Sequence, residues 1–203
     1  MQILHPCSDS IQQYCEQLAD PDRYRPAACP LCQVPEPLAS HGFYQRTVVD
    51  ETVDGLLRVR RYLCRCCWRT VSLLPEFLLP YLRFSVSVVA RFLKARLGEG
   101  QTLKAAAKAA GLLHMPYQRG QHWVRRFRKQ APGLSAALAA LTSSGAASDW
   151  VTKALGMLEA VGWRAAHRFL FSQLRGHLLG WPRFLAPDGL GGKLSAAPLP
   201  PGP

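Results

Sequence analysis

The sequence predicts an α+β protein, mainly helical, in which a small β-hairpin unit precedes a larger set of helices. Three observations predict it. Two cysteine pairs, Cys29-Pro-Leu-Cys32 and Cys64-Arg-Cys-Cys67, stand about thirty residues apart, and the chain between them reads as strand, turn, strand. Beyond residue 80 the apolar residues recur at helical spacing. Charge is segregated as well. Residues 81–130 hold eleven Lys and Arg against one acid, Glu99, in a chain of 203 residues with a net charge of +12.

Residues 1–28 form an N-terminal helix and linker. Ser10-Ile-Gln-Gln13 fits a capping box, and Ile11, Tyr14, Cys15 and Leu18 then share one helical face. Cys15 on that face is expected to be a buried small hydrophobe, and Asp20-Pro21 ends the helix.

Residues 29–80 form the hairpin unit. Each pair places two thiolates at the C-x-x-C spacing that one ion can share, and Cys29, Cys32, Cys64 and Cys67 together complete the closed shell of one structural zinc. A closed shell keeps no position for water, which argues against catalysis at the metal. The alternatives are buried core thiols or disulfides; an odd count of seven cysteines and an N-terminus unlike a signal peptide argue against the latter. Cys66 competes with Cys64 or Cys67 as a ligand, and His41 is a weaker substitute. Strands are expected at 42–49 and 56–63 around an Asp54-Gly55 turn, with a third at 68–72. Arg46, Arg58, Arg60, Arg61, Arg65 and Arg69 offer this unit a basic side, or solvated strand positions. So small a sheet buries little apolar area, and a metal would contribute much of its folding free energy.

Residues 81–142 read as a helix-turn-helix domain. A helix over 86–97 turns Val88, Val89, Phe92, Leu93 and Leu97 to a core; Thr102 then caps a second helix that stops at Gly111; Pro116 opens a third, reaching 129. On that third helix Gly120, Trp123, Val124 and Phe127 gather on one side, and Gln118, Gln121, His122, Arg125 and Lys129 on the other. The polar set has the residue types that read base edges in the major groove, with Arg119, Arg126 and Arg128 flanking it for the phosphates. A basic solvated face on an ordinary bundle is the bland alternative, and segregation of charge speaks against it. The expected partner is double-stranded DNA.

Residues 143–185 carry C-terminal helices expected to pack on this domain or on a second copy of the chain in a homodimer. A separate short helix is expected over 134–141, and a longer one beyond 151 breaks at Gly162. The tail 186–203, rich in Gly, Pro and Ser, is expected to be disordered. No apolar run approaches the roughly 18 residues of a membrane span, so the expectation is a cytoplasmic, nucleoid-associated protein without a membrane partner.

The order Cys29-Pro-x-Cys32, His41-Gly-Phe-Tyr-x-Arg46, then Arg61-Tyr-x-Cys-Arg-x-Cys-x-Arg-Thr-x-Ser-Leu-Leu-Pro75 and a helix-turn-helix resembles the N-terminal part of bacterial insertion-sequence transposases. The resemblance covers roughly residues 29–130. It implies a zinc ribbon and helical module that binds transposon-end DNA, with Cys29, Cys32, Cys64 and Cys67 as ligands. A complete transposase of that kind continues into a nuclease domain whose carboxylates hold two metal ions. Here the chain beyond residue 130 offers only Asp149, Glu159 and Asp188. The expectation is therefore a DNA-recognition module that is not itself an enzyme, or an adaptor for a separately encoded transposase.

Overall fold

The computed structural model describes residues 1–7, 10–20, 22–143, 147 and 149–180. The expected tail at 186–203 and part of the 142–145 linker lie outside them. The architecture is α+β, with a four-stranded sheet and six α-helices among the described residues. Two compact units divide the chain, Met1–Val89 and Ala90 onward.

The first unit is built on β1 (Gln2–His5), α1 (Ile11–Gln17), β2 (Ala39–Val49), β3 (Asp54–Leu63) and β4 (Thr70–Pro75). The sheet order is β1-β4-β3-β2, with β1 parallel to β4 and the other pairs antiparallel. No strand was expected at Gln2–His5. Four residues give too little alternation to identify it, and only its pairing with Ser72–Pro75 makes it a strand. Ser10 and Gln13 form the expected capping box on α1. Cys15 is exposed rather than buried, because Ile11, Tyr14 and Leu18 alone occupy the inward stripe.

The hairpin turn differs from its expected place. It occupies residues 50–53, closed by an Asp50 N–H donating to the Val53 carbonyl at 2.7 Å, and Gly55 sits within β3 opposite Val48. An Asp54-Gly55 turn would have set Val48 and Val49 against Arg61 and Arg60. The observed register instead puts Phe43 opposite Arg60, where the guanidinium groups of Arg58 and Arg60 each lie 4.0 Å from the Phe43 ring centre. Packing across the strands outweighed the local turn signal. A bulge between Ser40 and Phe43 uses Gly42 at φ 80°, a conformation that a side chain would strain.

Helix α2 (Val86–Leu93) crosses the division between the units and is followed by a π-helical turn, Lys94–Gly98, where the sequence suggested continuous α-helix. Next come α3 (Leu103–Ala109), α4 (Tyr117–Leu138), α5 (Trp150–Val161) and α6 (Trp163–Leu174). Thr102 caps α3 through the Ala105 N–H at 3.2 Å, and Asp149 caps α5 through Val151 and Thr152. Pro116 takes the cap position of α4, one residue before its expected place. The two helices expected at 116–129 and 134–141 are one, running through Pro132. Its buried stripe, Trp123, Val124, Phe127, Ala131, Leu134 and Leu138, is unbroken, and this continuous burial offsets the backbone bond that Pro132 removes. Gly162, at φ 87°, separates α5 from α6.

Candidate functional site

Both cysteine pairs sit in loops with the same backbone plan. In the first, the Cys29 N–H donates to the Val34 carbonyl at 3.2 Å, the Leu31 N–H points to Cys29 Sγ at 3.5 Å, and Gln33 is left-handed at φ 58°. In the second, the Cys64 N–H donates to the Arg69 carbonyl at 3.0 Å, the Cys67 N–H points to Cys64 Sγ at 3.5 Å, and Trp68 is left-handed at φ 54°. The residue after the last cysteine reverses the chain in each. Two such knuckles face one another.

Their four sulfurs all lie within 4.8 Å of one another, with Cys29 and Cys67 3.8 Å apart and Cys32 and Cys64 3.6 Å apart. Disulfide sulfurs would be bonded at about 2.05 Å, so these are free thiols. An ion bound tetrahedrally at about 2.3 Å from each sulfur requires sulfur separations near 3.8 Å, and the set fits it. Among the described residues this is the one group of three or more metal-capable side chains. Cys66 is exposed and outside it, as is His41 on β2.

The surroundings favour anionic sulfur on one side of the set. Backbone donation from Cys32 leads the effects that hold the Cys29 thiol down to about 6, while burial pushes Cys67 up to about 12. Four sulfurs this close titrate as a set, and a bound divalent cation would draw the remaining protons off. Beneath them lies an apolar bed of Leu38, Tyr62, Val71 and Leu73, with Ile3, Tyr24 and Val34 packed against it. Strands β3 and β4 thus fix the second knuckle by both stems, while the first stands in the loop between α1 and β2.

The basic residues of the first unit divide by use. Arg46 donates to the Leu79 and Leu82 carbonyls, and buried Arg60 to the Leu18 carbonyl at 2.8 Å. These two hold loops in place. Arg58, Arg65 and Arg69 remain exposed.

In the second unit, α3 and the start of α4 approach closely. A methyl group at Gly120 would come within 3.1 Å of Phe92, 3.2 Å of Met115 and 3.4 Å of Leu103, and Trp123 meets Phe92 edge to face at 5.3 Å. With the inner side of α4 so committed, Gln118, Arg119, His122, Arg125, Arg128 and Lys129 are all exposed, and Gln121 is half-buried. Arg126 differs from the rest. Its Nε donates to the Leu179 carbonyl at 2.5 Å, so it ties α4 to the segment after α6. Partial desolvation and then the neighbouring arginines Arg126, Arg125 and Arg119 hold the His122 imidazole below its usual range.

Sequence patterning missed one feature here. A groove of about 600 Å³ runs between α3 and the start of α4, lined by Leu113, Met115 and Tyr117 with Lys104 and Lys108. Leu113 and Tyr117 are exposed apolar residues, Leu113 in the turn before α4 and Tyr117 at the start of the helix, where periodicity carries no signal of a groove. No helix among the described residues is long and apolar enough to cross a membrane.

Residues 29–110 match a family model described as a domain of unknown function, DUF6431. The match takes in both knuckles, the hairpin, α2 and α3, and ends before α4. No curated protein and no solved structure matches the chain.

Proposed function

We propose that this chain is a zinc-containing protein that recognises double-stranded DNA, a transposase-like recognition module of a mobile element. The observation that carries the reading is the outer side of α4: six exposed polar and basic residues share one helix whose opposite side is filled by Gly120, Trp123, Val124 and Phe127. That is the form of a helix presented to a major groove, with Arg125 and the glutamines suited to base edges and Arg119, Arg128 and Lys129 to phosphates. Arg126 would act by positioning α4.

Zinc is the ion we assign to Cys29, Cys32, Cys64 and Cys67, because an all-sulfur tetrahedral set suits it and a closed shell gives it a structural role. The acids of the second unit support a non-catalytic reading. Asp149 caps α5, and Glu159 accepts from Trp163 at 2.7 Å and pairs with Lys94 at 3.2 Å. Asp188 lies outside the described residues. The mobile-element assignment rests on the resemblance of the knuckle and helix order to insertion-sequence transposases.

Metal analysis and duplex binding test this together. Purified protein is expected to hold one zinc, and Cys64→Ser to lose it while Cys66→Ser keeps it. Arg125→Ala is expected to weaken binding to the specific duplex by roughly 10-fold and to narrow its margin over random duplex, as for a base-contacting arginine. Equal affinity for element-end and random DNA, unchanged by Arg125→Ala, would sink the reading. The α3–α4 groove supports a second one, an adaptor that docks a protein partner such as a separately encoded transposase. Partner capture abolished by Leu113→Glu, with no duplex binding, would favour it.

A further inference from the structure

The second knuckle places a bulky residue where its backbone favours glycine. The position after the last cysteine is left-handed in both knuckles, at Gln33 and at Trp68, and an aromatic side chain resists that conformation. Buried packing does not offset the strain, since the Trp68 indole is 74% exposed. Folding therefore does not account for a tryptophan here. Backbone strain retained without a packing return is a mark of a binding position.

The flanking chemistry narrows the ligand. Arg65 and Arg69 are exposed on the same short loop, and the stretch from Cys64 to Thr70 contains no acid. Glu36 lines a recess together with Arg65, yet no ion pair joins them among the described residues. A partner protein would be expected to meet a contiguous apolar patch. The indole's neighbours on this loop are instead Arg65, Cys66 and Arg69, all exposed. An exposed aromatic ring with two arginines on the same short loop matches a nucleobase and its adjoining phosphates. Within a duplex each base face is already covered by stacking, so the ligand must be unpaired.

We propose that Trp68, flanked by Arg65 and Arg69, stacks an unpaired nucleobase at a DNA end or single-stranded overhang. The metal centre fixes the platform, because Cys67 precedes the indole directly and the Cys64 N–H closes the loop on Arg69. This site goes beyond duplex reading by α4 and shares with it only the choice of DNA as partner.

Fluorescence anisotropy with one duplex sequence, made blunt or with a short oligothymidine overhang, tests it. The wild type is expected to bind the overhang duplex roughly 10-fold more tightly than the blunt one, the size of a single aromatic stacking contact. Trp68→Gly relieves the left-handed strain, so it should fold and hold metal at least as well while losing that preference; Trp68→Tyr should keep most of it. Arg125→Ala should weaken both duplexes and leave their ratio unchanged, which separates failure of the two sites. Free oligothymidine should also quench tryptophan emission of the wild type more than that of Trp68→Gly. Equal affinity of the wild type for blunt and overhang duplexes would overturn the proposal and leave the indole as a protein contact. So would a preference that survives in Trp68→Gly.

Discussion

The His122 pKa is lowered in the free protein by partial desolvation and by Arg126, Arg125 and Arg119, and the ring stands exposed among the residues of α4 that we assign to DNA. Phosphates brought alongside would reverse that balance and raise its pKa. The sign follows. A group that is harder to protonate free than bound takes up a proton on binding, so affinity should rise as pH falls through the bound-state pKa and level off below the free-state one. His122→Gln should flatten this part of the profile, and the imidazole resonance should titrate at higher pH with duplex present. Arg126 shows why residue roles were only partly legible. Sequence placed it with its neighbours on a basic face, but its bond to the Leu179 carbonyl depends on a segment more than fifty positions away, which helical periodicity cannot register.

Among the elements, α4 was misread in extent and correctly read in orientation. Separate helices are expected over 116–129 and 134–141, and Pro132 between them removes one backbone donor, yet the buried stripe on both sides of it holds a single helix of 22 residues. Pro132 is exposed, so Pro132→Ala restores that donor without disturbing packing, and should stabilise the protein by about 1 to 2 kcal/mol, part of the interior proline penalty being offset by greater freedom of the unfolded chain. Thermal unfolding measures this directly. The hairpin shows a similar limit. Asp54-Gly55 is a strong local turn signal, and the register that stacks Phe43 between two arginines overrode it. The cysteine quartet was legible because one ion must be reached from two short loops, which imposes a spacing visible in the chain. Strand β1 and the α3–α4 groove depend on distant partners and impose none.

At the scale of the whole molecule, the two units draw on different sources of stability. The sheet unit adds four sulfurs drawn together to a core that includes Tyr14, Tyr62, Phe77 and Leu79, whereas the helical unit relies on its own buried stripe and aromatic contacts. A strong chelator should therefore broaden the spectrum of β2, β3 and the knuckles first and leave most of the helical signal at 222 nm intact. Simultaneous loss of both would contradict separate cores. Salt should reveal the charge distribution in the same protein. Three phosphate contacts from Arg119, Arg128 and Lys129 predict a slope of log affinity against log salt of about −3, and each alanine replacement should lower it by about one.

The parallel pairing of β1 with β4 has a kinetic consequence. Ile3 lies opposite Leu73, so docking the first strand closes a loop of about 70 residues, a slow step for a small domain. An ion that joins Cys29 and Cys32 to Cys64 and Cys67 ties off the middle of that loop beforehand, because all four sulfurs lie inside it. The centre would then act as a clasp on the folding pathway as well as on the folded state, letting the amino-terminal strand find its neighbour across a much shorter tether.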